Sequence, residues 1–428
     1  MNNIDDKRES AKALKTEGNY QEALLLFKTL WEETKDKWDG WNLAYCYNKS
    51  KQFEEALDIS KAVYASNKDF DFIKGTYAWA AFMLNIKNYN GDNYNELKTY
   101  AEGILKLTND RQEDVFRHLT ILKIMDYCDE KGMWEALVSW SNKVNPQILG
   151  SEPYKFQKNG KNITIPSNRE KWFLKTTKAY EKLEHWDQCL QWSGKGLDYF
   201  SDDIWLRRRK AISEGNLGQI DKAIEDLKNI SFVKSDWFIF RDIAVLFAKN
   251  NKYENALDFI IDGCLLSVNL PDPGYRWELY YDAALYLHEL NNKMAAKHLL
   301  LSYSLREHEG WKTPEVLLAL SGKMHIELEN IEDTRSIVKE LKLFWEEHKF
   351  SKLPKHNGEI KTILPNGKAG FITSENGEDY YFKAFSFNGK RSQLKTALKV
   401  EFFVQESFDR KKKEKSNQAV NISLIERK

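Results

Sequence analysis

At 428 residues the chain is long for one globular domain and suits an elongated array carrying a small module. No apolar run approaches the roughly 18–20 residues that span a bilayer, and the opening MNNIDDKRES lacks the basic-then-apolar order of a secretory leader, so a soluble, cytoplasmic protein is expected. The net charge of +1 conceals an asymmetry: from Lys355 onward 15 Lys and Arg stand against 9 Asp and Glu, a basic tail on a mildly acidic body and a first pointer to an anionic partner.

Cys46, Cys128, Cys189 and Cys264 lie far apart and form no C-x-x-C pair, which argues against a zinc site or a disulfide frame and for buried thiols in a reducing compartment.

From the N-terminus, internal repetition is the dominant signal. GNYQEAL (18–24), KQFEEAL (51–57), EHWDQCL (184–190), GQIDKAI (218–224) and NKYENAL (251–257) share one grammar: a turn residue, an aromatic or Ile two positions on, then a small residue and an aliphatic. The small residues Ala23 and Ala56 are 33 apart, Cys189 and Ala223 34, Ala223 and Ala256 33. Packing explains the spacing. Where two antiparallel helices cross closely only a small side chain fits, and the apolar stripe that remains can be buried only against a neighbouring pair. Leu43-Ala44-x-x-Tyr47 and Ile243-Ala244-x-x-Phe247 mark first helices of two such pairs.

These motifs resemble the tetratricopeptide repeat, whose period is 34 residues. The resemblance covers about 1–350 and implies an all-α superhelical solenoid of eight or nine helix pairs that binds a protein or peptide in a concave groove. The pattern loosens around Leu97, Leu137, Ala296 and Thr334. Repeat one offers Arg8 and Lys12 without the Asn of the chaperone-binding subfamily, so that clamp is not carried over. In WLRRRK (205–210), Arg208 is placed towards the expected groove as a partner contact, against the plainer reading of a solvated helix face. Trp79, Trp140, Trp192 and Trp237 fall on helical stripes and are read as core.

One disruption interrupts the array. In GSEPYKFQKNGKNITIPSN (150–168), YKFQ and NITI flank Asn159-Gly160, a type I′ hairpin signal; the finger is either functional or decorative.

SKLPKHN (351–357) ends the array as a linker, and the periodicity then changes from near 3.6 to 2. Five strands are expected at Glu359–Ile363, Ala369–Thr373, Tyr380–Lys383, Lys399–Gln405 and Gln418–Leu424, which suits a small all-β five-stranded OB-type barrel over 358–428. GEIK, GKAGFI, EDYYF, VEFFV and NQAVNI resemble the cold-shock domain in order and spacing. That resemblance implies binding of single-stranded nucleic acid, RNA before DNA, on the face of the second and third strands. Alternation points Ile372, Tyr380 and Phe382 inward, and Phe371, Tyr381 and Lys383 outward.

The chain departs from the family where Thr362 replaces a tryptophan, Ala369 an aromatic, and Lys383 and Ala384 a His-Phe pair. Phe371 and Tyr381 are the stacking rings that remain, with Lys361, Lys368 and Lys383 beside them. Lys411, Lys412 and Lys413 form a basic loop before the last strand.

No H-E-x-x-H, phosphate-binding glycine loop or nucleophile elbow is present, so neither an enzyme nor a cofactor or metal is expected. The sequence reads as an adaptor joining a protein partner to single-stranded nucleic acid. Its rival is a pure protein-interaction scaffold whose tail module has lost its nucleic-acid role.

Overall fold

Each of the five repeated motifs begins at a residue with positive φ: Gly18 (85°), Lys51 (61°), Glu184 (57°), Gly218 (98°) and Asn251 (55°). A left-handed residue stops a helix by turning the next N–H back onto the carbonyl five residues earlier. That bond forms in all five, from Asn19 to Leu14, Gln52 to Tyr47, His185 to Tyr180, Gln219 to Glu214 and Lys252 to Phe247, at 2.9–3.0 Å. Gly132 (66°) and Asn291 (53°) repeat the turn where the sequence pattern is looser. The motif is therefore a helix stop followed by a helix start.

The computed structural model describes residues 3–425 except 110, 112, 113, 269, 272, 329–332, 410, 411 and 413. The chain forms two compact units, 1–210 and 211–428. The first contains α1 (Asn3–Thr16), α2 (Tyr20–Thr34), α3 (Lys37–Lys49), α4 (Phe53–Ser66), α5 (Asp71–Asn85) and α6 (Tyr94–Leu107). It continues with α7 (Val115–Glu130), α8 (Trp134–Ser141), the hairpin β1 (Tyr154–Lys158) and β2 (Lys161–Ile165), α9 (Asn168–Lys182) and α10 (Trp186–Tyr199). The helix α11 (Ile204–Asn216) runs through the division. The second unit holds α12 (Ile220–Val233), α13 (Trp237–Lys249), α14 (Tyr253–Ser267), α15 (Trp277–Glu289), α16 (Met294–His308), α17 (Glu315–Met324) and α18 (Thr334–Ser351).

Of the eighteen helices among the described residues, consecutive ones pack as hairpins in seven pairs, α1–α2 through α9–α10 in the first unit and α13–α14 and α15–α16 in the second. Ala23, Ala56, Cys189, Ala223 and Ala256 are all fully buried, as close helix crossings require. The last two helices are irregular. Instead of closing on α17, α18 lies against α14 and α16, where His348 and Lys352 meet Asp258 at 2.8 and 2.5 Å and Lys349 meets Asp262 at 2.6 Å. Beneath it Trp345 donates its indole N–H to Nε2 of the buried His298 at 2.7 Å, while His298 Nδ1 donates to the Met294 carbonyl at 2.8 Å. Both ring nitrogens are satisfied by a neutral imidazole, and burial pushes its pKa down to about 4.

The finger at 154–165 folds as its turn residues dictate. Asn159 and Gly160 both have positive φ (52° and 72°), and the pairing runs from Tyr154↔Ile165 to Lys158↔Lys161.

The tail carries β3 (Lys355–Ile363), β4 (Ala369–Ser374), β5 (Asp379–Lys383), β6 (Lys399–Asp409) and β7 (Glu414–Leu424). All five strands are longer than or as long as their sequence signals, and β3 opens at Lys355. The segment read as a linker thus gives its last three residues to the sheet. The pairing order β3-β4-β5-β7-β6 returns to β3, with β5 and β7 parallel and the other pairs antiparallel. Ile360, Ile372, Phe382, Val400, Phe402 and Ile422 fill the interior. Only glycine fits at position 370, because a Cβ there would stand 2.2 Å from the Thr362 carbonyl oxygen.

Two stability experiments follow from this packing. Ala56→Leu and Ala256→Leu should each overpack a crossing and lower stability by about 1–3 kcal/mol in thermal or urea melts; unchanged midpoints would contradict the close approach. The neutral, buried His298 takes up its proton only in the unfolded chain as pH falls through 6.5, so its contribution is complete above that pH and is lost progressively towards pH 4. Between pH 7.5 and 5 this group should cost about 2 kcal/mol, measured as the excess loss in urea midpoints over a His298→Gln variant.

Candidate nucleic-acid interface and aromatic cleft

The β4–β5 face is set by register. Phe371 stands directly across from Tyr381, and Thr362 flanks Phe371 on β3. Period-2 alternation buries Ile372, Tyr380 and Phe382 and turns Phe371, Tyr381 and Lys383 outward, as expected from the sequence. The two outward rings are half-buried and meet edge to face, with centroids 5.8 Å apart at 70°.

The cations around them have different circumstances. Lys361 is the extra residue of a bulge between Ile360 and Thr362, and its ammonium is bound by Asp379 at 2.5 Å. Hydrogen bonds from Lys361 and then Thr373 hold the Asp379 carboxyl below the usual carboxylate range. Lys361 is thus engaged before any phosphate arrives. Lys368 and Lys383 are exposed, and Ala384 N–H donates to the Lys368 carbonyl at 2.8 Å, which sets the two lysines at the same end of the face. In the basic loop Lys412 is exposed beside Glu414 at 3.5 Å, whereas Lys411 and Lys413 lie outside the described residues.

A ring missed in the sequence stands at Phe385, 81% exposed, with Lys383 Nζ 5.7 Å from its centroid. The outward alternation Tyr381, Lys383, Phe385 carries that signal, while Phe387 next along is buried. Two ring contacts join β6 to the helices of its unit: Phe408 stacks on Phe232 of α12 at 6.0 Å, and Phe403 packs on Phe350 of α18 at 5.4 Å. β4 and β5 are each separated from β6 by one strand.

The first unit holds a second candidate. Trp38, Trp41 and Tyr45 share one face of α3, while Phe72, Thr76 and Trp79 share one face of α5, by their three- and four-residue spacing. With Val115 and Phe116 of α7 most of these residues line an open cleft of about 300 Å³. Trp41 sits 5.2 Å from Phe72 and Trp79 stacks on Phe116 at 5.8 Å, while Trp41 Nε1 donates to Thr76 Oγ1 at 2.9 Å. Trp38 is 44% and Phe72 55% exposed. Lys15 Nζ lies 4.1 Å over Trp41 and 4.5 Å over Tyr45, and Lys49 reaches Tyr45 and Trp79 at 5.4 and 5.3 Å. Burial lowers the Lys15 pKa, a sign that its ammonium has given up water.

Trp140 is buried as expected, but Trp79 is a cleft wall; helical spacing alone does not distinguish the buried face from the open one. Arg208 is not a free groove cation. Its guanidinium binds Glu181 at 2.8 Å next to Arg209 at 2.9 Å. Burial pushes the Glu181 carboxyl up, but Arg208 and Arg209 outweigh it and keep the group ionised below its usual range. The expected partner contact is thus an internal ion pair.

Among the described residues no group of three or more His, Cys, Asp or Glu could hold a metal, and no helix is long and apolar enough to cross a membrane. All four cysteines are buried.

No protein-family model and no curated protein sequence matches the chain. Solved structures similar to it include a MamA AMB-1 structure, at 13% identity and a TM-score of 0.30, over 44% of this chain and 98% of that one. A tetratricopeptide repeat protein from Parabacteroides merdae aligns at 13% identity and 0.32, over 74% and 98%. The APC/C hetero-tetramer Cut9-Hcn1 aligns at 11% identity and 0.36, over 79% and 90%.

Proposed function

We propose that the protein is an adaptor. Its C-terminal module is a cold-shock-like OB domain that binds single-stranded nucleic acid on the β4–β5 face, and its helix pairs hold an apolar segment of a protein partner in the aromatic cleft. The observation that carries the nucleic-acid half is the outward pair Phe371 and Tyr381, joined edge to face and bordered by Lys368 and Lys383. Outward rings can stack on the π-face of any base, and the ammonium groups of lysines beside them pair with phosphate. A five-stranded closed sheet that presents its second and third strands is the platform an OB fold uses for oligonucleotides. For the protein half, partly exposed Trp41 under Lys15 and Trp79 under Lys49, with Trp38 edge to face on Trp41, suit an apolar side chain followed by a carboxylate.

The scaffold reading has its own support. The Lys361–Asp379 pair neutralises one end of the face, and packing through Phe403 and Phe408 gives the module a structural task.

Fluorescence anisotropy of the full chain with a labelled ten-nucleotide oligouridine separates the two. Phe371→Ala and Tyr381→Ala should each cost about 1–3 kcal/mol of binding at every salt concentration. Lys383→Ala should instead flatten the slope of log affinity against log salt by about 0.7. Lys361→Ala should change that slope less, because Asp379 already holds the ammonium. If neither ring substitution weakens binding, the module is a packing element and the scaffold reading stands.

A further inference from the structure

The β4–β5 face is electrostatically uneven along its length. At one end Asp379 binds Lys361 and Thr373, with Glu378 preceding it. Beyond Asp379 the chain runs from Tyr380 to Val400 without a single Asp or Glu, yet carries Lys383, Lys390, Arg391, Lys395 and Lys399. A polyanion on this face meets a neutralised pair at the first end and is attracted at the second.

The attractive end is also where Phe385 projects. Its ring is on a short 3-10 turn, Ala384–Ser386, and is the most exposed of the large apolar side chains among the described residues. The interior does not use it, since Ala384 and Phe387 on either side supply the buried contacts. Leaving a phenyl ring in water forgoes the burial free energy its surface could contribute, so the fold gives no reason for its position. Two hydrogen bonds bring basic segments to this end of the module. Arg391 Nη2 donates to the Gly367 carbonyl at 2.9 Å, and Ala384 N–H donates to that of Lys368, so the β3–β4 turn and the β5–β6 connection converge. Lys368, Lys383 and Arg391 are thus brought to that end, with Lys383 over the ring, and Lys390 precedes Arg391 on the connection.

We infer that Phe385 is a third base-stacking ring, and that the single strand leaves Tyr381, passes Lys383 and continues onto the β5–β6 connection with its phosphates on Lys390 and Arg391. This rests on the nucleic-acid reading above and adds a direction to it. The aromatic position empty at Ala369 lies across from Lys383, at this same end, and Phe385 returns a ring there beside the cations.

The test uses the full chain and the same ten-nucleotide oligouridine. Phe385→Ala should weaken binding about five- to a hundredfold, with the salt slope unchanged, and Phe385→Trp should keep or improve it. Lys390→Gln should flatten the salt slope by about 0.7 without the loss seen for the ring; because Arg391 also braces Gly367, Lys390 isolates the phosphate contact. An unchanged melting temperature in Phe385→Ala verifies that only surface was removed. If the oligonucleotide binds in a manner sensitive to Phe371 and Tyr381 but indifferent to Phe385 and Lys390, the path proposed here is wrong and the nucleic-acid reading survives. If the unmodified chain does not bind it, or if a poly-glutamate peptide binds with the Phe385 dependence expected of the oligonucleotide, both fall.

Discussion

Everything in the helical part depends on how closely the two helices of a pair can approach. Ala23, Ala56, Cys189, Ala223 and Ala256 have no solvent exposure and sit one turn into their helices, just after a left-handed stop. A small side chain there lets the backbones come near, and the aromatic three residues earlier, such as Tyr20 or Tyr253, closes the gap at the turn. Within each unit, once a pair is fixed this way, its remaining apolar stripe buries against the next pair, and the packing propagates by contact between neighbours.

Much of that was legible, because stops, small residues and apolar stripes are local and each leaves a residue type behind. The hairpin at Asn159-Gly160 and the inward and outward split of β4 and β5 were legible for the same reason. What escaped was non-local. The α18 helix crosses to α14 through Asp258 and Asp262, some ninety residues away, and no pattern in its own sequence names those partners. Arg208 has a charge that looks available until Glu181, 27 residues earlier, is brought beside it. Lys361 is likewise engaged by Asp379, and a bulge that no residue type announces places it there. The tryptophans failed differently: helical spacing defines a stripe but not which stripe is covered. Trp79 walls an open cleft, whereas Trp140 is enclosed.

The two candidate surfaces use the same chemistry in different settings. In the cleft, Lys15 lies over Trp41 and Tyr45 with its pKa lowered by burial, so its charge is felt at short range and is little diluted by salt. On the module Lys383 reaches Phe385 from an exposed position, where its charge acts at a distance but is readily screened. The first arrangement suits a compact, apolar ligand and the second a long flexible polyanion, the two partners of the adaptor proposed above.

The finger of β1 and β2 has a further consequence. Two strands with no third neighbour among the described residues leave outward N–H and C=O groups along each edge, an invitation to stray strands from other molecules, and Tyr154 and Phe156 are exposed on its surface. Each strand is only five residues long, and Lys155, Lys158 and Lys161 are distributed over them. Short length and like charge make any incoming copy repel before it can zip along the edge. The same three lysines would attract an acidic strand, so a finger protected against itself remains open to a partner of opposite charge.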